Sequence, residues 1–250
     1  MQSSWASLFL IGNFFAFGYA ALPLQILTWG KTPPPFHITI WATLVQNPVQ
    51  SICSCPLPDT KRLSYPTACP RIVSKDEWGG RPPKGPTEKM NVPVPFTVVH
   101  HGGSKDYCTT EERCAAIVRS YQTSHMDSNG WNDIGYNFVV GEDGNVFEGR
   151  GWEAVGAHAP TYNTKSIGIC IIGDFTDRLP NEAALKAVQS LIECGVEQNK
   201  IQRQYQLIGH RQNTASSTVC PGTKLFEEIM TWPQWTPDPK NVKGFQTNWD

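Results

Sequence analysis

The run Ile167-Gly168-Ile169-Cys170-Ile171-Ile172 decides the fold. Neither parity in it is polar, so a strand built from it exposes no face to water and belongs at the centre of a sheet covered on both sides. Earlier in the sequence, Tyr136–Val140 and Asn145–Phe147 read as a hairpin across Gly141-Glu142-Asp143-Gly144, and Pro95-Phe96-Thr97-Val98-Val99-His100 as a short apolar strand. Between these strands, Thr109-Thr110-Glu111-Glu112 reads as a capping box with Thr109 at the cap, opening a helix to about Met126 whose buried stripe is Cys114, Ile117, Val118 and Tyr121. Toward the carboxyl end, Pro180-Asn181 opens a second helix that turns Leu185, Val188, Leu191, Ile192 and Val196 inward. Tyr205–Gly209 follows as a strand, and Leu225, Phe226 and Ile229 mark a third helix. Strands and helices alternate, which predicts an α/β fold with a central mixed β-sheet flanked by helices.

The flanks differ in composition from this core. Residues 30–68 carry Pro33-Pro34-Pro35, Pro48, Pro56, Pro58 and Pro66 with little periodicity, the pattern of a linker. Residues 8–29 are mostly apolar, and Gly18, Ala20 and Ala21 offer a cleavage site. The expected organisation is a signal peptide over 1–21, a Pro-rich linker over 22–68, one folded domain over 69–235 and a C-terminal tail over 236–250, with the stretch after Pro233 loosely held. An uncleaved membrane anchor over 8–29 is the alternative, although the first basic residue, Lys31, lies on the wrong side for that orientation. Either reading places the domain outside the cell, secreted or tethered, and membrane contact follows only if the apolar run is retained. Of the 250 residues, 21 are Lys or Arg and 22 Asp or Glu, so no field draws the chain to nucleic acid. Eight cysteines suit an oxidising compartment.

Two histidines and a cysteine carry the chemistry. His100 and His210 each close a short apolar strand, and Cys220 precedes Pro221-Gly222 at the start of the third helix. Together they form a candidate Zn2+ site with three N and S ligands and a coordination position open to water, the arrangement of a catalytic rather than a structural zinc. The chain contains no His-Glu-x-x-His, so the glutamate base of the common metalloproteases is absent.

Around these residues stand His100-His101, Gly130-Trp131-Asn132-Asp133-Ile134-Gly135-Tyr136-Asn137-Phe138, Gly149-Arg150-Gly151-Trp152, Gly156-Ala157-His158, Ser166-Ile167-Gly168-Ile169 and Gly209-His210-Arg211. In order and spacing, over about residues 69–235, this series resembles the peptidoglycan recognition proteins, relatives of the bacteriophage-type zinc amidases that act in innate immunity against bacteria. The resemblance implies the amidase-type fold and hydrolysis of the amide between N-acetylmuramic acid and L-alanine of the stem peptide, with peptidoglycan or a muropeptide as partner. The alternative is a receptor or sensor that binds the wall without cutting it. Members of the family that hydrolyse carry cysteine at the Cys220 position and those that only bind carry serine, a poor zinc ligand near neutral pH.

The resemblance also implies individual roles. Tyr136 matches the catalytic tyrosine, and Thr218 stands where related phage-type enzymes carry a lysine. His101, His125, His158 and Asn163 match positions that line the peptide groove. Gly130, Trp131 and Arg150 resemble the set found in members that prefer meso-diaminopimelic acid, whose extra carboxylate an arginine can grip. Cys108–Cys114 and Cys69–Cys194 match family disulfides. Cys170, inside the buried strand, is then expected to be an inert thiol, while Cys53 and Cys55 lack partners and leave a homodimer open. One departure stands out: the interval from His210 to Cys220 is two residues longer than the family usually shows, through Asn213-Thr214-Ala215-Ser216-Ser217.

Overall fold

The computed structural model describes residues 69–239. The segments expected as a leader or anchor and as a linker, with Cys53 and Cys55, and residues 240–250 lie outside the described residues. Within them, six strands form one sheet: β1 (Ile72–Val73), β2 (Val94–His101), β3 (Phe138–Val140), β4 (Val146–Glu148), β5 (Ser166–Ile171) and β6 (Ile201–Gly209). Their order is β1-β4-β3-β5-β2-β6. The β3–β4 hairpin is antiparallel, while β1 runs parallel to β4, and β3, β5, β2 and β6 run parallel to one another, so the expected mixed sheet is present.

Every residue of β5 is buried, as its unbroken apolar run requires. Its two parities face different layers. Ile167, Ile169 and Ile171 pack on α2 (Glu182–Glu197) and α3 (Thr223–Ile229) with Val188, Leu191, Leu225 and Ile229. Cys170, with Ile172 just beyond the strand, faces α1 (Glu111–Thr123) through Cys114, Ile117 and Val118. Cys170 is a buried free thiol. Leu185 and Val196 of α2 pack against the first layer only in part, and the Asn181 side chain caps that helix by accepting from the Ala184 amide at 2.9 Å.

Helix α1 starts one residue later than its sequence suggests. Thr110, not Thr109, has the extended backbone of a cap, and its hydroxyl accepts from the Arg113 amide at 3.4 Å. Arg113 then occupies the box position and cannot reach back with a carboxylate, so Glu111 and Glu112 act in the first turn, where the helix dipole favours negative charge. The α-helix also ends before Met126, at Thr123, where the chain widens into a π-helical turn over Ser124–Ser128. The Trp131 amide closes back on the carbonyl of His125 at 3.0 Å, and Gly130, at φ 72°, makes the left-handed step that a side chain would strain.

The stretch after Pro233 is not loosely held throughout. Leu207 donates to the carbonyl of Gln234 at 2.8 Å, the Thr236 amide donates to Leu207, and Gln212 Nε2 donates to the Thr236 carbonyl at 2.7 Å. These residues satisfy backbone groups on the open edge of β6, a demand that composition does not reveal. Disulfides join Cys69 to Cys194 and Cys108 to Cys114. Among the described residues no helix is long and apolar enough to cross a membrane.

Candidate metal centre and groove

Strand parity places His100. It shares a side of β2 with Phe96 and Val98, which pack not against α1 but with Ala159, Tyr162 and Ile208. On that side α1 does not cover the end of β2, and the imidazole emerges at the carboxyl end of parallel strands, where open α/β sheets carry their sites. His210 follows β6 directly as the first residue of a 3₁₀ turn, His210–Gln212. Cys220 is brought up by the turn before α3. Gly222 there has φ 89°, and an added Cβ would lie 2.4 Å from the Phe175 backbone, so the chain can pass only as glycine.

His100, His210 and Cys220 offer ligand atoms that all lie within 4.8 Å of one another. Nδ1 of His100 is 3.7 Å from Sγ of Cys220. A tetrahedral zinc at ordinary Zn–N and Zn–S lengths holds its N and S ligands about 3.6 Å apart, so this pair fits that ion. Cys220 is a free thiol, in no disulfide among the described residues. Burial pushes it up to about 12, against the opposing pull of the His101 amide and the Arg211 charge. Burial, then the neighbouring rings His158, His210 and His101, hold His100 well below the usual histidine value, and burial followed by His101 brings His210 down to about 4. Both rings are therefore neutral, the form that binds a metal.

The longer interval does not prevent this convergence. Its extra length is folded out and pinned: Asn213 Nδ2 donates to the Pro160 carbonyl at 2.6 Å, and Asn213 Oδ1 accepts from the Ala215 amide at 3.0 Å. The loop also returns Ser216 to the site, with Oγ 3.2 Å from Nε2 of His210. That contact leaves the opposite ring atom, Nδ1, for a metal. Ser216 and Asn213 were not singled out as site residues by sequence, because only the folded loop carries them to His210.

Tyr136 lies beside the cluster, its ring 5.3 Å from that of His100. Burial first, then the sulfurs of Cys170 and Cys220, push its phenol well above 10, so it keeps its proton and can donate. The hydroxyl of Thr218 accepts from the Cys220 amide at 3.1 Å and so shapes the turn that presents the sulfur. His101 is largely buried. Its Nδ1 accepts from the Phe175 amide at 3.2 Å, which leaves that atom unprotonated. The nearby Asp174 carboxylate, at 3.6 Å, therefore faces a neutral ring rather than an ion-pair partner, in keeping with the lowering of His101 by burial.

His125 lies in the π-helical turn. Nδ1 of His125 accepts from the Gly135 amide at 3.0 Å, and its ring lies 4.9 Å from Trp131 and 5.5 Å from Tyr136. Burial, then Arg150, lowers His125 to about 4. Arg150 donates from Nε to the Ile134 carbonyl and from Nη1 to the Val155 carbonyl, both at 2.8 Å, which leaves Nη2 for a ligand. Gly130 is exposed, and a Cβ built on it meets nothing within 4 Å. The Oδ1 of Asn163 accepts from the amides of His158 and Ala159 at 2.9 and 2.8 Å. His158 itself is only 7% exposed, with Nδ1 2.9 Å from Nε2 of His100, so it backs the metal cluster rather than standing out in the groove. Two further residues of the quoted motif hold this frame. Asn137 accepts from Gly168 and donates to the carbonyls of Gly151 and Ala154, and buried Asp133 accepts from Gln122, Lys75 and the Ile134 amide.

Residues 90–223 match the family described as N-acetylmuramoyl-L-alanine amidase. Peptidoglycan-recognition protein SC2 of Drosophila melanogaster is 44% identical over 164 residues, 66% of this chain and 87% of that protein. The N-acetylmuramoyl-L-alanine amidase of Homo sapiens is 44% identical over 174 residues, 69% of this chain but 30% of that protein. Among solved structures, peptidoglycan recognition protein-LE in complex with tracheal cytotoxin, a monomeric diaminopimelic acid-type peptidoglycan, superposes with a TM-score of 0.64 at 40% identity, covering 66% of this chain and 95% of that one. With the fold, the cluster and these likenesses in agreement, the chain belongs to the peptidoglycan recognition protein family and carries its amidase-type domain.

Proposed function

We propose that this chain is a secreted, zinc-dependent N-acetylmuramoyl-L-alanine amidase acting on diaminopimelic acid-type peptidoglycan. The observation that carries the reading is the convergence of two neutral imidazoles with a free thiol in the spacing of a three-ligand zinc site. Zinc held there would supply Lewis acidity, making water more acidic and a carbonyl more electrophilic. The chain's own groups do the rest. Tyr136, protonated by virtue of its burial, donates a hydrogen bond to the oxygen that gains charge as the lactyl-alanine amide is attacked. The groove over His125, Trp131 and Asn163 orients the stem peptide. Arg150 meets the additional carboxylate of diaminopimelic acid through Nη2, the guanidinium nitrogen not engaged by a backbone carbonyl.

Support for the ligand comes from the protein-LE complex, whose partner is a diaminopimelic acid-type fragment. The decisive comparison is wild type against Cys220→Ser for release of stem peptide from diaminopimelic-type muropeptide, with and without a chelator. Wild-type release that both the chelator and the substitution abolish supports an amidase. Binding without release in both proteins leaves only a wall-binding receptor. Amino-terminal sequencing of the mature protein tests secretion, since an intact residue 1 would mean that the apolar run over 8–29 is kept.

A further inference from the structure

We propose that His158 is a positioning residue for the metal ligand His100, fixing the orientation of that ring and thereby the affinity for zinc; this rests on the zinc reading above. The geometry points both ring nitrogens of His100 at specific partners. Nδ1 faces the Cys220 sulfur at 3.7 Å, and Nε2 meets Nδ1 of His158 at 2.9 Å. A metal on Nδ1 puts the ring proton on Nε2, and His158 must then accept it. A ligand imidazole needs such an outer acceptor to fix its tautomer and its rotation about χ2. Both rings are buried, at 1% and 7% exposure, so water does not compete freely for this bond.

The His158 ring is held as firmly as the bond requires. A Cβ built on Gly156 or on Gly168 would lie 2.4 Å from its Cδ2, so both positions are cleared for the imidazole by the absence of a side chain. Its main-chain N–H is fixed by Asn163 at 2.9 Å. Its Nε2 is buried and has no partner among the described residues, so within them the one hydrogen bond its ring makes is the one to His100. A ring packed for shape alone has no need of a nitrogen aimed at a ligand histidine. The acceptor is also neutral. Zinc with two imidazoles and one thiolate keeps one net positive charge, whereas a carboxylate at this position would bring a second negative group beside it and reduce the pull on water.

The test compares His158→Gln with His158→Met, which are matched in size and flexibility but differ in having an oxygen able to accept from His100. Zinc affinity is read by competition with a chromophoric chelator, and ligand geometry by the d–d bands of the cobalt-substituted protein. The expected result is a loss of about ten- to a hundredfold in zinc affinity for the methionine variant, with altered cobalt bands, and recovery of most of that loss in the glutamine variant at matched thermal stability of the metal-free proteins. Unchanged zinc affinity in both variants, with weaker muropeptide binding by the metal-free protein, would overturn the proposal in favour of a groove residue. Equal losses in both variants would reduce His158 to packing. Wild type that binds neither zinc nor cobalt removes the zinc reading itself, an outcome distinct from either of these.

Discussion

The amide of His101 points at the sulfur of Cys220 across 3.4 Å, tying the end of β2 to the turn before α3. An amide donor favours the thiolate, yet burial outweighs it and leaves the thiol at about 12. Without a metal the sulfur therefore carries its proton at any physiological pH, while His210, at about 4, carries no extra one. Capture of zinc must expel one proton, and affinity should rise by about tenfold per pH unit between pH 6.5 and 8. Competition titrations at three pH values check the slope; a flat dependence would mean that the thiol is not a ligand.

Acid should destabilise the metal-free domain earlier than its carboxylates alone would. His125 and His210 lie at about 4 and His158 at about 3, all depressed by burial from 6.5. The unfolded chain takes up protons on these rings as pH falls through 6.5, whereas the folded chain does so only near 4 and below. Their contribution to stability is present above 6.5 and shrinks through that window. Urea midpoints measured at pH 7.5 and 5 should show the drop, and equal midpoints would contradict the burial of these rings.

Tyr136→Phe should retain zinc and muropeptide binding and lose hydrolysis by about a hundred- to a thousandfold, the usual cost of one oxyanion donor. The phenol is the only polar atom removed, and it is protonated in the folded chain. Retention of full turnover would reduce Tyr136 to a packing residue beside His100.

Arg150 has two duties that can be separated. Nε and Nη1 brace the Ile134 and Val155 carbonyls, so Arg150→Ala should lower the melting temperature as well as binding. Loss of the charge-assisted bond from Nη2 should weaken diaminopimelic-type fragments by about ten- to a hundredfold, with lysine-type fragments much less affected. Equal losses on the two ligands would confine the residue to bracing the loop.

Ser216→Ala removes the hydroxyl 3.2 Å from Nε2 of His210 while leaving the Asn213 anchor in place. Zinc affinity should fall by up to about tenfold, at the low end of the range for outer partners of metal ligands. An unchanged affinity would show that the lengthened loop contributes nothing to the centre.

What could be read from sequence was whatever depends on local periodicity. The unbroken apolar run of β5, the Asn181 cap of α2, and two histidines at strand ends followed by Cys220 all announce themselves within a few residues. What escaped depends on distant partners. Thr110 displaces Thr109 as the cap of α1, a difference visible only in the backbone. Strand β1 is two residues long and exists because β4 lies beside it. Gln234–Thr236 are ordered by the edge of β6. The two extra residues between His210 and Cys220 are visible in the sequence, but not that Asn213 fastens the loop to Pro160, a contact across 53 positions.

The Cys69–Cys194 bridge closes a covalent ring that contains β1 to β5 and most of α2. His100 lies inside that ring, whereas His210 and Cys220 lie beyond it, on the stretch that supplies β6 and α3. An ion shared by these three residues would act as a clasp between the cyclised part of the domain and its free carboxyl-terminal arm. Loss of the ion would then loosen the arm first and leave the ring intact, so protease sensitivity should appear after residue 194 before it appears anywhere within the loop that the disulfide encloses.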